Sequence, residues 1–297
     1  FLVFAFLLIS IQKVNAAALA CNANEIAQTF TFGGGNAWTG GSSTNNYTVG
    51  TAPNAVTLTF TNTQVSTAIA GDPSLRRAGN NVNALVISGT NSPVGVTLST
   101  LALSTNRTIN KLTYNVYDID YSASGASNFR DRIVATRNGG GFPTAMTAVT
   151  PANETITLAS GNARATNSAN CADTDTGCNI EIQFNTTGIS STSTQFLAAH
   201  ASDTTAQQSI GFGEYSWCLP RHPTVTIRKV SNGSTGAFTF TNTNLASGTT
   251  NLTTATAGVA VSSAAINVAS LSSNVQIQEP VPSGWQLSSA SCTDANG

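Results

Sequence analysis

From Cys21 onward, short runs in which apolar side chains alternate with Thr or Ser are separated by clusters of Gly, Asn and Pro. Successive side chains of a strand point to opposite faces, so this period of two places one row in a core and the other in solvent. The runs at 29–32, 56–61, 84–88, 95–103, 109–118, 132–136, 154–158, 180–184, 195–199 and 209–218 therefore read as strands. No stretch sustains an apolar period of 3.6, which leaves room for a helical turn or two at most. Residues 33–43, with three successive glycines and Trp38, and 139–143 read as loops. About ten strands before the first proline cluster suit a two-sheet antiparallel sandwich of the jelly-roll kind, and the fold class is all-β.

Charge is scarce. Asp, Glu, Lys and Arg make up 8% of residues, against roughly 25% in ordinary globular chains. Thr, Ser, Asn and Gly take their place, residues that suit pleated surfaces and turns. With a net charge of −1 and no basic run, the electrostatic footprint of nucleic-acid binding or of a polybasic membrane contact is missing. The apolar run 1–11 followed by Val14-Asn15-Ala16-Ala17 reads as a secretory signal over 1–20. It is shorter than the roughly twenty residues that span a bilayer, so no membrane insertion of the mature chain is expected. Since no Met or basic segment precedes Phe1, truncation at the start is expected.

Five cysteines in an exported chain argue for disulfides. Cys171 and Cys178 can close a small loop, and Cys21 and Cys218 can tie together the ends of the first domain. In the chain-entropy picture the long loop contributes roughly 5 kcal/mol and the short one roughly 2 to 3. Cys292 is left over, with its expected mate beyond Gly297. The prolines of Leu219-Pro220-Arg221-His222-Pro223 interrupt the ladder. They divide a sandwich domain over 21–219 from a linker at 220–223 and a second domain over 224–297.

Among chemistry-bearing groups, Tyr117-Asp118-Ile119-Asp120-Tyr121 stands out. In a strand, Asp118 and Asp120 would share a face, and Asp131 could return beside them on the next strand. Three clustered carboxylates suit Ca²⁺, a hard cation that takes six to eight oxygens. The alternative is that Asp118 or Asp120 pairs with Arg130 or Arg132 and caps a hairpin. A second acidic loop, Asp173-Thr174-Asp175, begins like an EF-hand, but Gly177 and Phe184 fall where ligands should be. It reads instead as a disulfide-closed turn.

Enzymatic chemistry finds little footing. His222 lies between prolines, His200 with Asp203 has no nucleophile turn near it, and Glu154, Glu181 and Glu214 have no distinctive context for glycoside hydrolysis. Trp38, Tyr47, Tyr117, Tyr121 and Trp217 could stack on sugar rings, although core filling is the more general use of such residues.

In the last quarter, Val225-Thr226-Ile227-Arg228-Lys229-Val230 reads as a strand. Gly236-Ala237-Phe238-Thr239-Phe240-Thr241 forms another, and Glu279, Pro282, Gly284 and Trp285 follow in a corner. This order resembles the prealbumin-like, collagen-adhesin B-type (SpaA-like) repeats of bacterial surface proteins and pilins, over residues 224–297. The resemblance implies a smaller prealbumin-like sandwich, truncated before its final strand. It also implies a possible isopeptide bond in which Lys229 is the nucleophile and Glu279 the proton shuttle, the acceptor lying past Gly297. More loosely, the first domain looks like sandwich domains at the front of large secreted bacterial proteins. The reading that follows is a non-enzymatic, extracellular adhesion or structural protein whose partner is a glycan or protein ligand outside the cell. A calcium-assisted carbohydrate-binding module and a filament-forming subunit are the alternatives.

Overall fold

The computed structural model describes residues 19–90, 95–123, 129–149, 155–167, 170–199, 207–270 and 273–293. Residues 1–18 of the expected signal segment 1–20 lie outside them, as do Glu154, His200 and Asp203. The chain forms two compact units, Phe1–Arg221 and His222–Gly297. Among the described residues there is no α-helix, and no helix is long and apolar enough to cross a membrane.

The described residues of the first unit form fourteen strands: β1 (Glu25–Phe30), β2 (Thr44–Val49), β3 (Val56–Gln64), β4 (Ser74–Ala78), β5 (Asn81–Thr90), β6 (Thr97–Tyr117), β7 (Tyr121–Ser122), β8 (Phe129–Arg137), β9 (Ala145–Ala148), β10 (Ile156–Ala159), β11 (Asn162–Ala165), β12 (Ile180–Phe184), β13 (Ile189–Ala198) and β14 (Gln207–Pro220). Strand β6 organises them. Its first half lies between β3 and β13, and its second half lies between β12 and β14. One layer therefore runs β10-β11-β8-β13-β6-β3-β2. The other runs β4-β5-β14-β6-β12-β9, with β1 also paired to β14. All of these pairings are antiparallel.

The runs 95–103 and 109–118 are thus one strand rather than two. The polar stretch between them avoids becoming a loop because Arg107 donates to the carbonyls of Pro53 (3.0 Å) and Pro220 (3.0 Å) while the strand passes from one layer to the other. Strands β2, β4, β7, β9 and β11 add to those expected, and the first strand lies at Glu25–Phe30 rather than 29–32.

Alternation is clearest in β3, where Val56, Leu58, Phe60 and Asn62 face inward, and in β8, where Phe129, Asp131, Ile133 and Ala135 do. The core closes around aromatic rings, Phe60 on Tyr215 (5.0 Å between centroids) and Tyr114 stacked on Tyr215 (5.1 Å). Such pairs add about 0.5 to 1.5 kcal/mol each beyond area burial. Inside this core the Tyr114 hydroxyl meets that of Thr194 at 2.7 Å, so the buried polar atom is satisfied. Burial, opposed only in part by that bond, pushes the Tyr114 phenol well above its usual range.

Disulfides join Cys21 to Cys218 and Cys171 to Cys178, with Cα separations of 5.5 and 6.3 Å. Cys292 is exposed and free. Strand β14 continues through Leu219 to Pro220, which pairs with Glu25.

The second unit has β15 (Thr224–Val225), β16 (Arg228–Lys229), β17 (Ala237–Thr243), β18 (Thr249–Thr253), β19 (Val261–Ser262), β20 (Ile266–Asn267) and β21 (Gln276–Gln278). They pair as β15-β20, β16-β19 and β18-β17-β21. The run Val225–Val230 is split because the Ile227 amide donates to the Ser263 hydroxyl (3.0 Å), a side chain standing in for the ladder. Ile227, Phe238, Phe240 and Leu252 make the core, and Trp285 packs against it.

Candidate functional site

Two places in the molecule gather chemistry-bearing side chains, one in each unit. In the first, β6 ends at Tyr117 and Asp118 adopts φ +65°, a left-handed conformation that Asp tolerates better than most residues. Asp118 and Asp120 therefore belong to a turn between β6 and β7, not to a strand, and the shared-face expectation fails for that reason. Asp131 does return beside them. Its amide donates to the Asp120 carbonyl (2.9 Å), and the Asp120 amide donates to Asp131 Oδ2 (3.3 Å).

The disulfide loop docks on the same turn. The Cys171 amide donates to Asp120 Oδ2 (2.8 Å), and the Ile119 amide to the Cys178 carbonyl (2.9 Å). Asn179 stitches the edge, accepting from the Asp118 amide (3.3 Å) and donating to the Gly79 carbonyl (3.0 Å). Gly79 has φ +54°, and a Cβ there would lie 2.2 Å from Asn179 Oδ1, so this approach requires glycine. Within the loop the Gly177 amide donates to Asp175 Oδ1 (2.8 Å), a turn closed by its own aspartate.

The electrostatics follow from burial. Asp118 is pushed up to about 8 by desolvation first, then by Asp120 and Asp173, with Arg76 opposing. Asp131, wholly buried, is raised well above the usual carboxylate range by desolvation and then by Asp120 and Asp118. Asp118 Oδ1 and Asp131 Oδ1 have no hydrogen-bond partner. The arginines expected to pair here are engaged elsewhere. Arg132 Nε donates to Asn162 Oδ1 (2.7 Å), and the Arg130 guanidinium lies over the Tyr121 ring at 4.1 Å. The grouping of Asp173 and Asp175 with Asp118 escaped sequence reasoning, because nothing local marks a contact between segments some fifty residues apart.

Other candidates resolve into structure. Trp38, Tyr47, Tyr117 and Trp217 are buried, so they do not form a stacking face for sugars. Glu214 accepts from Asn115 Nδ2 (3.1 Å), and Glu181 is bonded to Gln183. Glu25 lies against the Cys21–Cys218 pair, but both sulfurs are consumed in the disulfide and offer no thiolate.

In the second unit, Lys229 Nζ meets Glu279 Oε1 at 2.6 Å, with both side chains largely buried. The ammonium also lies 4.3 Å from the centre of the Phe238 ring, a cation–π contact of about 0.5 to 2 kcal/mol. Trp285 meets Phe238 edge-on at 5.0 Å. Its position is fixed by a turn in which its amide donates to the Pro282 carbonyl (3.1 Å), with Gly284 at φ +84°. A Cβ on Gly236 would lie 2.9 Å from Trp285 Cζ2, which accounts for that glycine.

Comparison with curated proteins and with solved structures gave no match. Residues 225–297 match a family described as a prealbumin-like fold domain, of the SpaA type, so the second unit carries a prealbumin-like domain.

Proposed function

We propose that the chain is a non-enzymatic adhesion or structural protein of a bacterial surface, with the sandwich in front and a prealbumin-like stalk module behind it. The prealbumin-like match over 225–297 carries this reading. Two disulfides add to it, since such bonds persist in oxidising compartments. Recognition of an extracellular glycan or protein falls to the sandwich, the unit that the prealbumin-like match leaves over.

The test is surface labelling of intact, producing cells with an antibody to the sandwich, followed by binding of the purified protein to glycan and matrix-protein arrays. Labelling without permeabilisation together with saturable binding to one ligand class supports adhesion. Signal only after permeabilisation, or turnover of glycan or ester substrates, overturns it. Regular filaments in electron micrographs of the purified protein would replace the adhesin by the filament subunit.

Contact between Lys229 and Glu279 favours one refinement, an isopeptide bond formed by Lys229 with Glu279 relaying the proton. The Lys229 nitrogen would bond to the carbonyl carbon of an Asn side chain and ammonia would leave. A longer chain that supplies such an acceptor would then weigh about 17 Da less than its sequence, and Glu279→Gln would restore the full mass. An unreduced mass in the parent chain rejects the bond.

A further inference from the structure

We propose that the Asp118–Asp120 turn, Asp131 and the disulfide-closed loop Cys171–Cys178 together form a calcium site in the first unit. Asp118, Asp120, Asp131, Asp173 and Asp175 come from three separate segments, in a chain with only 13 acidic residues. Asp120, Asp173 and Asp175 act on Asp118 through charge, and Asp120 and Asp118 act on Asp131. The opposing cation, Arg76, is already paired with Asp72 at 3.2 Å.

Asp131 carries the argument. It occupies the inward row of β8 between Phe129 and Ile133, where any apolar side chain would serve the core, and it is 0% exposed. One of its oxygens takes the Asp120 amide and the other has no partner, so the carboxyl group faces the turn with an unused acceptor. Asp118 Oδ1 is likewise buried and unpartnered. Buried carboxylates are retained where they pair, protonate or hold a metal.

The donors select the ion. They are hard oxygens, without thiolate or imidazole in the cluster, which disfavours zinc and copper. Magnesium demands a near-ideal octahedron, whereas calcium accepts six to eight oxygens in irregular arrangements that include backbone carbonyls and water. Among the described residues no three carboxylates bring one oxygen each within 4.8 Å of one another, and the group of ligand atoms that does converge so closely, Cys21, Glu25 and Cys218, lies elsewhere and contains two sulfurs. Binding therefore draws the Asp118 side chain inward or reaches it through water. Because Asp120 also accepts the Cys171 amide, ion binding and docking of the disulfide loop are coupled.

The experiment uses the intact, oxidised chain, stripped with EGTA and titrated with CaCl2 by calorimetry, with thermal melting in parallel. One calcium per chain is expected, with a Kd of about 10⁻⁴ to 10⁻³ M, the range of extracellular modules, and a rise in Tm that MgCl2 does not reproduce. Asp131→Asn abolishes both the heat and the rise while folding at least as well as the stripped parent. If Asp131→Asn fails to fold, Asp118→Asn, at a turn position where Asn accepts positive φ, abolishes them instead. No heat at about 10 mM calcium, ten times the weak end of that range, overturns the site. So does an equal effect of magnesium, or an undiminished response in the variant that folds.

Discussion

Glu25 shows how one side chain holds a strand end in place. Its carboxylate accepts from Asn110 Nδ2 (2.6 Å) and from the Asn22 amide (2.7 Å), beside the disulfide. These bonds, the Asn110 one foremost, hold it below its ordinary value of 4.5 against the opposing effect of burial. A depressed carboxylate contributes stability above its unfolded pKa and loses it as pH falls through the folded one. Glu25→Gln should therefore lower the Tm at pH 7, and the gap from the parent should close in acid below about pH 4.5. A gap independent of pH would mean that shape rather than charge matters at this position. Residue types in the sequence point to the disulfide pairs and to Asp131 as a companion of Asp120. They do not point to the Asn179 bridge or to the arrival of Asp173, which depend on strand register and on the positive φ of Asp118.

At the level of elements, β3, β8 and β12 are legible because each keeps a strict period of two between solvent and core. Strand β4, Ser-Leu-Arg-Arg-Ala, carries no such alternation and is defined by its hairpin partner β5 across Gly79 and Asn80, both at positive φ. The two-layer character of β6 is equally hidden, because Thr105-Asn106-Arg107-Thr108 looks like a loop until Arg107 finds its carbonyls. Strand β14 depends on a different device. A Cβ on Gly211 would lie 2.7 Å from that of Ala78 and 3.1 Å from that of Ala84, neither of which can swing aside. Gly211→Ala should cost about 1 to 3 kcal/mol by overpacking, read as a lower urea midpoint at unchanged m-value. No change in midpoint would show that β4 and β5 yield easily.

For the whole molecule, the division into Phe1–Arg221 and His222–Gly297 makes separable stability a natural expectation. Replacing Cys21 and Cys218 by Ser removes a cross-link across 197 positions, about 5 kcal/mol in the chain-entropy picture. The melting transition of the first unit should fall while that of the second stays in place, as expected if each unit unfolds by itself. A matching fall in both would show that the units unfold together. Under the surface role proposed above, the same bond has a mechanical meaning. Tension entering at Cys21 leaves at Cys218 through a single covalent step, and the chain enclosed between them, about 680 Å when fully extended, is never paid out. Single molecules stretched from their ends should yield that length only after reduction, so the sandwich would keep its shape, and any surface it presents, under forces that uncoil an unbridged domain.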